Sequence, residues 1–252
     1  MQYNVGALKH RIQAHEQYGS RDLNEWILEH MQVAEGFSIL DLGCGTGKQT
    51  LPLAHRVGET GRVLAVDISQ EALEAVSQSS KELGVEKRID LLCTGMDDLG
   101  KYLPEQRFDR VLSAYALYYA QSPRTVLEVV YRSLKLAGML FFCGPARDNN
   151  AELKRFHYAL RGEQPPVGSG WDVFMEEVGK PLAQQLFAQV ETFTLLNPLR
   201  FDSAEALYMY WSSYGLYDET LDASFKAAAA RHFQTYAVFE TVKRVIGIKA
   251  TR

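Results

Sequence analysis

Residues Ile39–Lys48 read Ile-Leu-Asp-Leu-Gly-Cys-Gly-Thr-Gly-Lys and carry the strongest indication of the fold. An apolar run of strand character leads into three glycines at alternate positions, and the residues that follow have helical spacing. Glycines at such positions let the backbone turn sharply and approach a ligand closely. A strand, a glycine loop and a helix in this order are typical of a doubly wound sheet, which binds nucleotide-like ligands at this point.

The spacing of the glycines disfavours two other kinds of nucleotide-binding loop. A dinucleotide-binding GxGxxG loop would have its third glycine at position 48, where this chain carries Lys48. A P-loop has four residues between its glycines and a Ser or Thr after its lysine, but Gln49 follows Lys48. A nicotinamide-dependent oxidoreductase is therefore improbable on this pattern.

The segment 36–145 alternates between short β-rich runs and longer stretches with helical spacing. Ser69 and Ser122 are expected to cap two of these helices, and Pro123 suits the first helical position. Repeats of this length predict parallel strands joined by right-handed crossovers, hence an α/β fold with a doubly wound, mostly parallel sheet. The predicted strands are Phe37–Leu42, Val63–Val66, Ile89–Leu92, Phe108–Leu112 and Leu140–Cys143.

The chain outside this block predicts further helices and two more strands. Residues 1–35 are expected to form N-terminal lid helices, one of them capped by Ser20, before the core at 36–145. Residues 146–188, with a helical stretch at Trp171–Ala188, are expected to form a lid insertion. The last part, 189–252, is expected to hold strands at 189–196 and 239–249 around a helical insertion.

Composition and charge limit the classes of function. The 252 residues are 46% hydrophobic and 23% charged, with 27 basic and 31 acidic side chains and a net charge of −4. This balance argues against nucleic acid as a partner. Cys44, Cys93 and Cys143 have no metal-binding spacing, so no metal is expected, and scattered thiols suit a reducing cytoplasm. No apolar run is long enough for a membrane span. A cytoplasmic monomer or homodimer is expected.

Acidic residues follow the second and third predicted strands. Asp67 lies about twenty residues beyond the last glycine, where a carboxylate can accept hydrogen bonds from both hydroxyls of a ribose. After the third strand, Asp97 could accept from an exocyclic adenine amine while Met96 packs on the purine. Each aspartate alone could instead be a helix cap or a turn residue. Together with the glycine loop, they favour an adenosine-containing ligand.

These motifs resemble the class I S-adenosylmethionine-dependent methyltransferases. The resemblance rests on Leu40–Gly47, Asp67, Gly95–Asp97 and the run Phe108–Val111 that leads into Ser113–Leu117. It also includes Leu134–Gly138, which is similar to the turn that precedes the fifth strand of the family. Ala137-Gly138 departs there from the family's Pro-Gly. The family has seven strands with the last one antiparallel, so the resemblance implies a Rossmann-like methyltransferase fold.

The resemblance also implies a cofactor, S-adenosyl-L-methionine, with S-adenosyl-L-homocysteine as product. By analogy with the family, Asp41 serves the amino group of the methionine moiety, and the glycine loop approaches the same end. Asp67 holds the ribose, Met96 and Asp97 frame the adenine, and Tyr18 reaches the carboxylate. The complete set of expected cofactor residues is Tyr18, Asp41, Gly43, Cys44, Gly45, Gly47, Asp67, Ile68, Met96, Asp97, Ser113 and Ala114.

Methyl transfer from a sulfonium is an in-line displacement with an activated leaving group, so positioning can supply most of the rate. Tyr118 and Tyr119 stand where family members often carry histidines, and they are the candidate catalytic residues, through substrate binding more than base catalysis. Aromatic side chains suggest a pocket for a small-molecule acceptor with an O or N nucleophile, although they could equally be ordinary core. The predicted pocket residues are Tyr115, Tyr118, Tyr119, His157, Tyr210, Trp211 and Tyr214.

Two other functions remain open on the sequence. A non-catalytic S-adenosylmethionine-binding regulatory protein would carry the same cofactor residues, because those residues imply binding and not turnover. A methyltransferase of protein side chains is also compatible with them. Nucleic-acid amino methyltransferases usually carry an Asn/Asp-Pro-Pro-Tyr loop after the fourth strand, whereas this chain reads Ser-Ala-Tyr-Ala at 113–116.

Overall fold

The computed structural model describes residues 18–19, 21–166, 168 and 173–252. Within these limits the chain forms two compact units, each built from distant parts of the sequence. The sheet unit comprises 23–147, 173–194 and 245–252, and the aromatic unit comprises 18–22, 148–168 and 195–244. The predicted cap Ser20 and the start of the helix predicted at 171–188 lie outside the described residues.

A seven-stranded sheet with strand order β3-β2-β1-β4-β5-β7-β6 organises the fold. The strands β1 to β5 pair in parallel, and β7 pairs antiparallel with β5. The predicted doubly wound, mostly parallel seven-stranded sheet is therefore confirmed. The strands are β1 (Ser38–Leu42), β2 (Arg62–Asp67), β3 (Ile89–Cys93), β4 (Phe108–Ala114), β5 (Leu134–Pro145), β6 (Gln189–Phe201) and β7 (Phe239–Thr251).

Helices connect the strands and cover the sheet. Ser69 caps its helix as predicted, since its hydroxyl accepts a hydrogen bond from the Ala72 N–H at 3.2 Å. Among the described residues, the stretch predicted as one helix from 171 to 188 is a π-helical turn, Met175–Gly179, followed by a short α-helix. The α-helices are Leu23–Met31, Thr50–Arg56, Gln70–Glu82, Pro123–Ser133, Ala151–Leu160, Lys180–Leu186, Ala204–Ser213 and Asp222–Thr235.

Two strands, β5 and β6, extend at least five residues beyond their predicted bounds. The prediction ended β6 at residue 196, but the strand continues through Pro198 to Phe201. Proline lacks the N–H that a central strand must donate, but β6 lies at the edge of the sheet, where proline is tolerated. Strand β5 begins at Leu134, and the turn predicted before it is an irregularity in its pairing with β4.

The register of the parallel strands brings their carboxyl ends to one edge of the sheet. Leu42 of β1 lies opposite Val66 of β2, and Asp67 lies opposite Cys93 at the end of β3. On the other side of β1, Asp41 lies opposite Leu112 of β4. The loops after these four strands therefore leave the sheet side by side, and they carry most of the predicted cofactor residues.

Candidate functional site at the carboxyl edge of the sheet

The glycine loop is anchored to β2 by its backbone. The N–H groups of Gly43 and Cys44 both donate to the carbonyl of Val66, at 2.8 and 3.0 Å. Gly43 has a φ of +74°, and a Cβ atom there would lie 2.2 Å from the Cβ of Ala116. Only glycine meets both the left-handed backbone and this close approach. The loop is thus held against the segment that follows β4.

Asp67 joins the glycine loop to the helix after β2. Its Oδ2 accepts from the Gly45 N–H at 2.8 Å, and its Oδ1 accepts from the Ser69 N–H at 2.9 Å. The interpretation of Asp67 as a turn residue is therefore correct. Each carboxylate oxygen has two lone pairs, so both oxygens can still accept a hydrogen bond from a ligand.

Asp41 is buried at the end of β1 with 1% of its surface exposed. The Thr50 hydroxyl donates to its Oδ2 at 2.6 Å. Burial, together with the nearby charge of Asp67, raises the pKa of Asp41 to about 7, even though the Thr50 hydrogen bond lowers it. Among the described residues, no Lys or Arg forms an ion pair with Asp41 or Asp67. This acidic pair is matched to a ligand that brings positive charge.

Cys44 is buried between these two carboxylates. Burial, with the charges of Asp41 and Asp67, raises the pKa of its thiol far above the ordinary range. Because the thiolate and not the thiol is the reactive form, Cys44 is unsuited to act as a nucleophile. Its contribution to the site is its backbone N–H and its small buried side chain.

The residues predicted to frame an adenine lie beside the loop. The Met96 Cε atom is 3.8 Å from the position that a Gly43 Cβ would take, so this side chain lies against the glycine loop. Ile68 has 78% of its surface exposed, and its Cδ1 is 3.8 Å from the corresponding position on Gly95. An apolar side chain this exposed provides a surface against which a flat ring can pack.

Asp97 accepts two hydrogen bonds from the loop that precedes the helix Pro123–Ser133. Its Oδ1 accepts from the Ser122 N–H at 2.8 Å, and its Oδ2 accepts from the Gln121 N–H at 3.0 Å. Ser122 occupies the N-cap position as predicted, but its side chain makes no capping hydrogen bond. The carboxylate thus links the loop after β3 to the loop after β4, and Asp97 is not itself an N-cap, since Gly95 holds that position before the 3₁₀ turn that contains Asp97.

The loop after β4 begins with a strained residue. The Ser113 hydroxyl donates to the Leu42 carbonyl at 3.1 Å, and Ala114 ends the strand. Tyr115 has a φ of +57°, which is rare for a bulky side chain, and its N–H donates to the Cys143 carbonyl at 2.8 Å. Strain of this kind often occurs at functional sites, where the surrounding structure maintains it.

Tyr118 and Tyr119 follow in the 3₁₀ turn Leu117–Tyr119. Their ring centroids are 4.6 Å apart, and the Tyr118 ring also lies edge-on to Phe174 at 6.2 Å. Tyr119 has 57% of its surface exposed, whereas Tyr118 is half-buried. The turn is therefore held by packing on one ring and presents the other to a ligand or solvent.

The other predicted pocket residues belong to the core of the aromatic unit. Trp211 is fully buried, and its ring stacks on Phe225 with a centroid distance of 4.1 Å. Asn150 and Asn149 donate to the hydroxyls of Tyr210 and Tyr214, at 2.9 and 3.1 Å. The ordinary-core interpretation is therefore correct for Trp211 and Tyr210, and a pocket role for them stays a prediction.

Two further predicted residues also lie in the aromatic unit. The Tyr18 ring packs on Phe201 with a centroid distance of 5.0 Å, and its contact with a cofactor stays a prediction. His157 is 4% exposed and accepts a hydrogen bond from Trp211. Burial and the charge of Arg161 lower the pKa of this histidine.

Sequence reasoning missed the supporting residues of this site. Thr50 hydrogen-bonds Asp41, Ala116 fixes the position of Gly43, and Asn149 and Asn150 orient two tyrosines of the aromatic unit. Thr50 could have been found from the sequence, because it lies in the first turn after the glycine loop. Ala116 carries no local signal, since its importance depends on a contact with a residue 73 positions away.

The described residues were also considered for metals and membrane spans. They contain no group of three or more His, Cys, Asp or Glu side chains that could hold a metal ion. None of their helices combines the length and the apolar character needed to cross a membrane.

Residues 39–138 match the sequence model of a family described as a methyltransferase domain. The chain is 32% identical over 111 residues to a demethylmenaquinone methyltransferase of Oceanobacillus iheyensis, covering 44% of this chain and 45% of that protein. It thus spans about half the length of the curated relatives that it matches.

Solved structures share the fold at low sequence identity. A SAM-dependent methyltransferase from Aquifex aeolicus aligns with a TM-score of 0.54 at 21% identity, over 75% of this chain and 91% of that one. The [4+2]-cyclase SpnF aligns with a TM-score of 0.56 at 16% identity, over 92% and 86%. A fold that is shared with a cyclase does not fix the reaction. The sequence match at 39–138 shows that this segment of the chain is similar to a methyltransferase domain.

Proposed function

We propose that this protein binds S-adenosylmethionine at the carboxyl edge of its sheet and transfers the methyl group to a small-molecule acceptor. The observation that carries the proposal is the acidic pair Asp41 and Asp67 around a glycine loop. A buried carboxylate with a raised pKa and no cationic partner among the described residues is costly for the fold. S-adenosylmethionine carries a sulfonium and an ammonium group, so it suits this charge.

The residues of the edge fit each part of such a ligand. Both oxygens of Asp67 can still accept hydrogen bonds, which suits a pair of ribose hydroxyls. Asp41 suits the ammonium group. Met96 and Ile68 offer apolar surface to an adenine. Asp97 has acceptor capacity beyond the two N–H groups that it already binds, so it can also accept a hydrogen bond from the adenine amine.

When bound, the cofactor supplies a methyl group on a positively charged sulfur, ready for in-line displacement. The chain then needs to orient the acceptor and exclude water, and orientation alone can contribute about 7–11 kcal/mol in favourable cases. The loop 115–119, held between Gly43 and Asp97, is the segment proposed to position the acceptor. Tyr118 and Tyr119 are proposed to shape the pocket or hydrogen-bond the acceptor, and neither is proposed as a base.

The relatives support methyl transfer as the reaction class, but they give less support for the identity of the acceptor. The matched residues 39–138 include the whole proposed cofactor edge but none of the aromatic unit. A quinone-type acceptor, as in the name of the relative from Oceanobacillus iheyensis, is one candidate within the small-molecule class. The SpnF neighbour keeps a second candidate function open, a protein of this fold that does not transfer methyl groups.

Two measurements on the full chain test the proposal. Isothermal titration with S-adenosylmethionine and with S-adenosylhomocysteine measures cofactor binding, and saturable binding of both is expected. A panel of small molecules with radiolabelled methyl donor then measures transfer. Absence of binding would contradict the cofactor assignment. Binding with no transfer to any small molecule, protein or peptide would favour the non-catalytic alternative.

A further inference from the structure

The aromatic unit contains a cavity of about 540 Å³ that is wide open to solvent. Its volume lies within the range of about 300–1,000 Å³ that is usual for small-molecule sites. The lining comes from two segments of this unit, the end of the helix Ala151–Leu160 and the loop 215–219. The lining residues are His157, Tyr158, Arg161, Gly215, Leu216, Tyr217, Asp218 and Glu219.

One buried polar side chain in the wall has a defined hydrogen-bonding role. His157 is 96% buried, and its Nδ1 lies 3.2 Å from the Nε1 of Trp211. An indole nitrogen can only donate, so Nδ1 must be the acceptor and carry no proton. In the neutral ring the proton is then on Nε2, which makes this nitrogen a donor. Among the described residues, no protein group accepts a hydrogen bond from Nε2.

The walls beside His157 are aromatic and held in place. The Tyr158 ring is nearly perpendicular to the His157 ring, at 86° and 5.0 Å. The Tyr217 ring lies edge-on to Trp211 at 5.1 Å. Two ordered aromatic rings beside a fixed donor favour a planar ligand over a flexible chain.

The charges at the rim disfavour an anion. Arg161 forms ion pairs with Asp218 at 3.1 Å and with Glu163 at 3.3 Å, so its charge is already balanced. Glu219 adds another carboxylate to the lining. A ligand that accepts from His157 but carries no negative charge therefore fits better than a carboxylate or a phosphate.

From these observations we propose that the cavity of the aromatic unit is a second ligand site, which binds a small, neutral, planar carbonyl compound through the Nε2–H of His157. Binding there does not require methyl transfer. The Trp211 indole fixes the tautomer, and Tyr158 and Tyr217 hold the ring of the ligand.

Acetophenone is a suitable probe because it is planar, neutral and has one carbonyl. Nuclear magnetic resonance of the full chain labelled with ¹⁵N-histidine reports both the tautomer of His157 and binding. We expect the proton on Nε2, a saturable shift of that signal with acetophenone, and weaker binding of benzoate, which has a similar shape with a negative charge. A proton on Nδ1, no saturable shift, or equal binding of benzoate would overturn the proposal.

Variants locate the site. We expect His157→Leu to weaken acetophenone binding about tenfold, as for the loss of one hydrogen bond to a buried donor. The matched control is His232→Leu in the same unit, where Nε2 already lies 3.1 Å from the Val238 carbonyl, and we expect no change in affinity. Unchanged binding in His157→Leu would overturn the assignment. Titration with S-adenosylmethionine checks that both variants are folded. If the wild type does not bind S-adenosylmethionine, the proposed function is contradicted, but the proposal for the cavity is not.

Discussion

In the sheet unit, aspartates at the two ends of the parallel strands have different hydrogen-bond partners. At the amino end, Asp109 of β4 accepts from Lys135 Nζ at 2.8 and 2.9 Å and from the Ser38 N–H at 2.8 Å. At the carboxyl end, within the described part of the chain, Asp41 accepts from a hydroxyl, and Asp67 accepts from backbone N–H groups. The aspartate at the amino end is paired with a lysine of the protein. The aspartates at the carboxyl end keep negative charge that a ligand can neutralise.

This difference separates stability from function. A paired carboxylate at the surface costs little and contributes modestly to stability. A buried carboxylate beside another carboxylate is unfavourable when ionised, as the raised pKa of Asp41 indicates. A fold retains such a group where a ligand compensates it, so unpaired acidic residues at a strand end are a better guide to a site than acidic residues in general.

The largest expected effect is on stability, from Asp41→Asn. The folded pKa of Asp41 is about 7 and its ordinary value is 3.8, so the native state holds a proton that the unfolded state has already lost between these values. Stability therefore falls as pH rises from about 4 to about 7. Asn keeps the Thr50 hydrogen bond without ionising, so the variant should be more stable at pH 8 by about 4 kcal/mol.

Urea unfolding of wild type and variant at pH 4 and pH 8 measures this effect, with near-equal stability expected at pH 4. Affinity for S-adenosylmethionine should move the opposite way, since Asn cannot neutralise a cation. A variant that is no more stable than wild type at pH 8 would mean that the charge of Asp41 is already compensated within the fold.

The next largest effect is on affinity, from Asp67→Asn. The substitution removes the charge that strengthens two ribose hydrogen bonds, and a loss of about 100-fold in S-adenosylmethionine affinity is expected. Isothermal titration measures it. Asp109→Asn is the matched control, because it should lower stability by about 1 kcal/mol and leave affinity unchanged. Equal losses of affinity in both variants would contradict the proposal that the cofactor binds at the carboxyl end of the sheet and not at the amino end.

Tyr118→Phe and Tyr119→Phe test the loop that follows β4. A fall of about tenfold in kcat/KM is expected for the tyrosine that hydrogen-bonds the acceptor, with S-adenosylmethionine affinity unchanged. Steady-state kinetics with whichever acceptor the methyl-donor panel identifies makes the comparison. If both variants keep the turnover and acceptor affinity of the wild type, neither hydroxyl has a role in the reaction.

The smallest effect is at the amino end of the sheet, from Ala137→Gly. Ala137 has a φ of +59°, a left-handed conformation that costs an alanine about 1–2 kcal/mol. Glycine removes this strain but loses more entropy on folding, so a net gain in stability of about 0.5 kcal/mol is expected. Thermal unfolding measures it, with unchanged cofactor affinity. A loss of stability would mean that the Ala137 methyl group makes packing contacts worth more than the strain.

Much of the cofactor edge could be predicted because its signals are local. The glycine spacing at 43–47, the apolar runs before it and the aspartate at the end of the next strand all lie within short stretches. Parallel strands then bring the ends of those stretches together without further information. The number of strands and the antiparallel β7 followed from the resemblance to the family, whereas the order of the strands was not predicted.

The roles of individual side chains could not be predicted in the same way. Asp97 follows a strand just as Asp67 does, yet it binds backbone N–H groups that lie 24 and 25 positions later, just before a helix. In the aromatic unit, Trp211 and Tyr210 are aromatic residues of the kind that line ligand pockets, but they are buried like core residues. Composition does not separate these two cases, because an aromatic ring is equally suited to both.

The order of strands, glycines and acidic residues along the chain was thus sufficient to determine the sheet and the edge at which a cofactor is expected, since hydrophobic periodicity and backbone freedom act over a few residues. Which carboxylate is buried and which is paired with a lysine follows from the tertiary structure alone. So does the placement of the Trp211 indole against Nδ1 of His157. Desolvation and hydrogen-bond partners depend on neighbours in space, and those neighbours are distant in sequence.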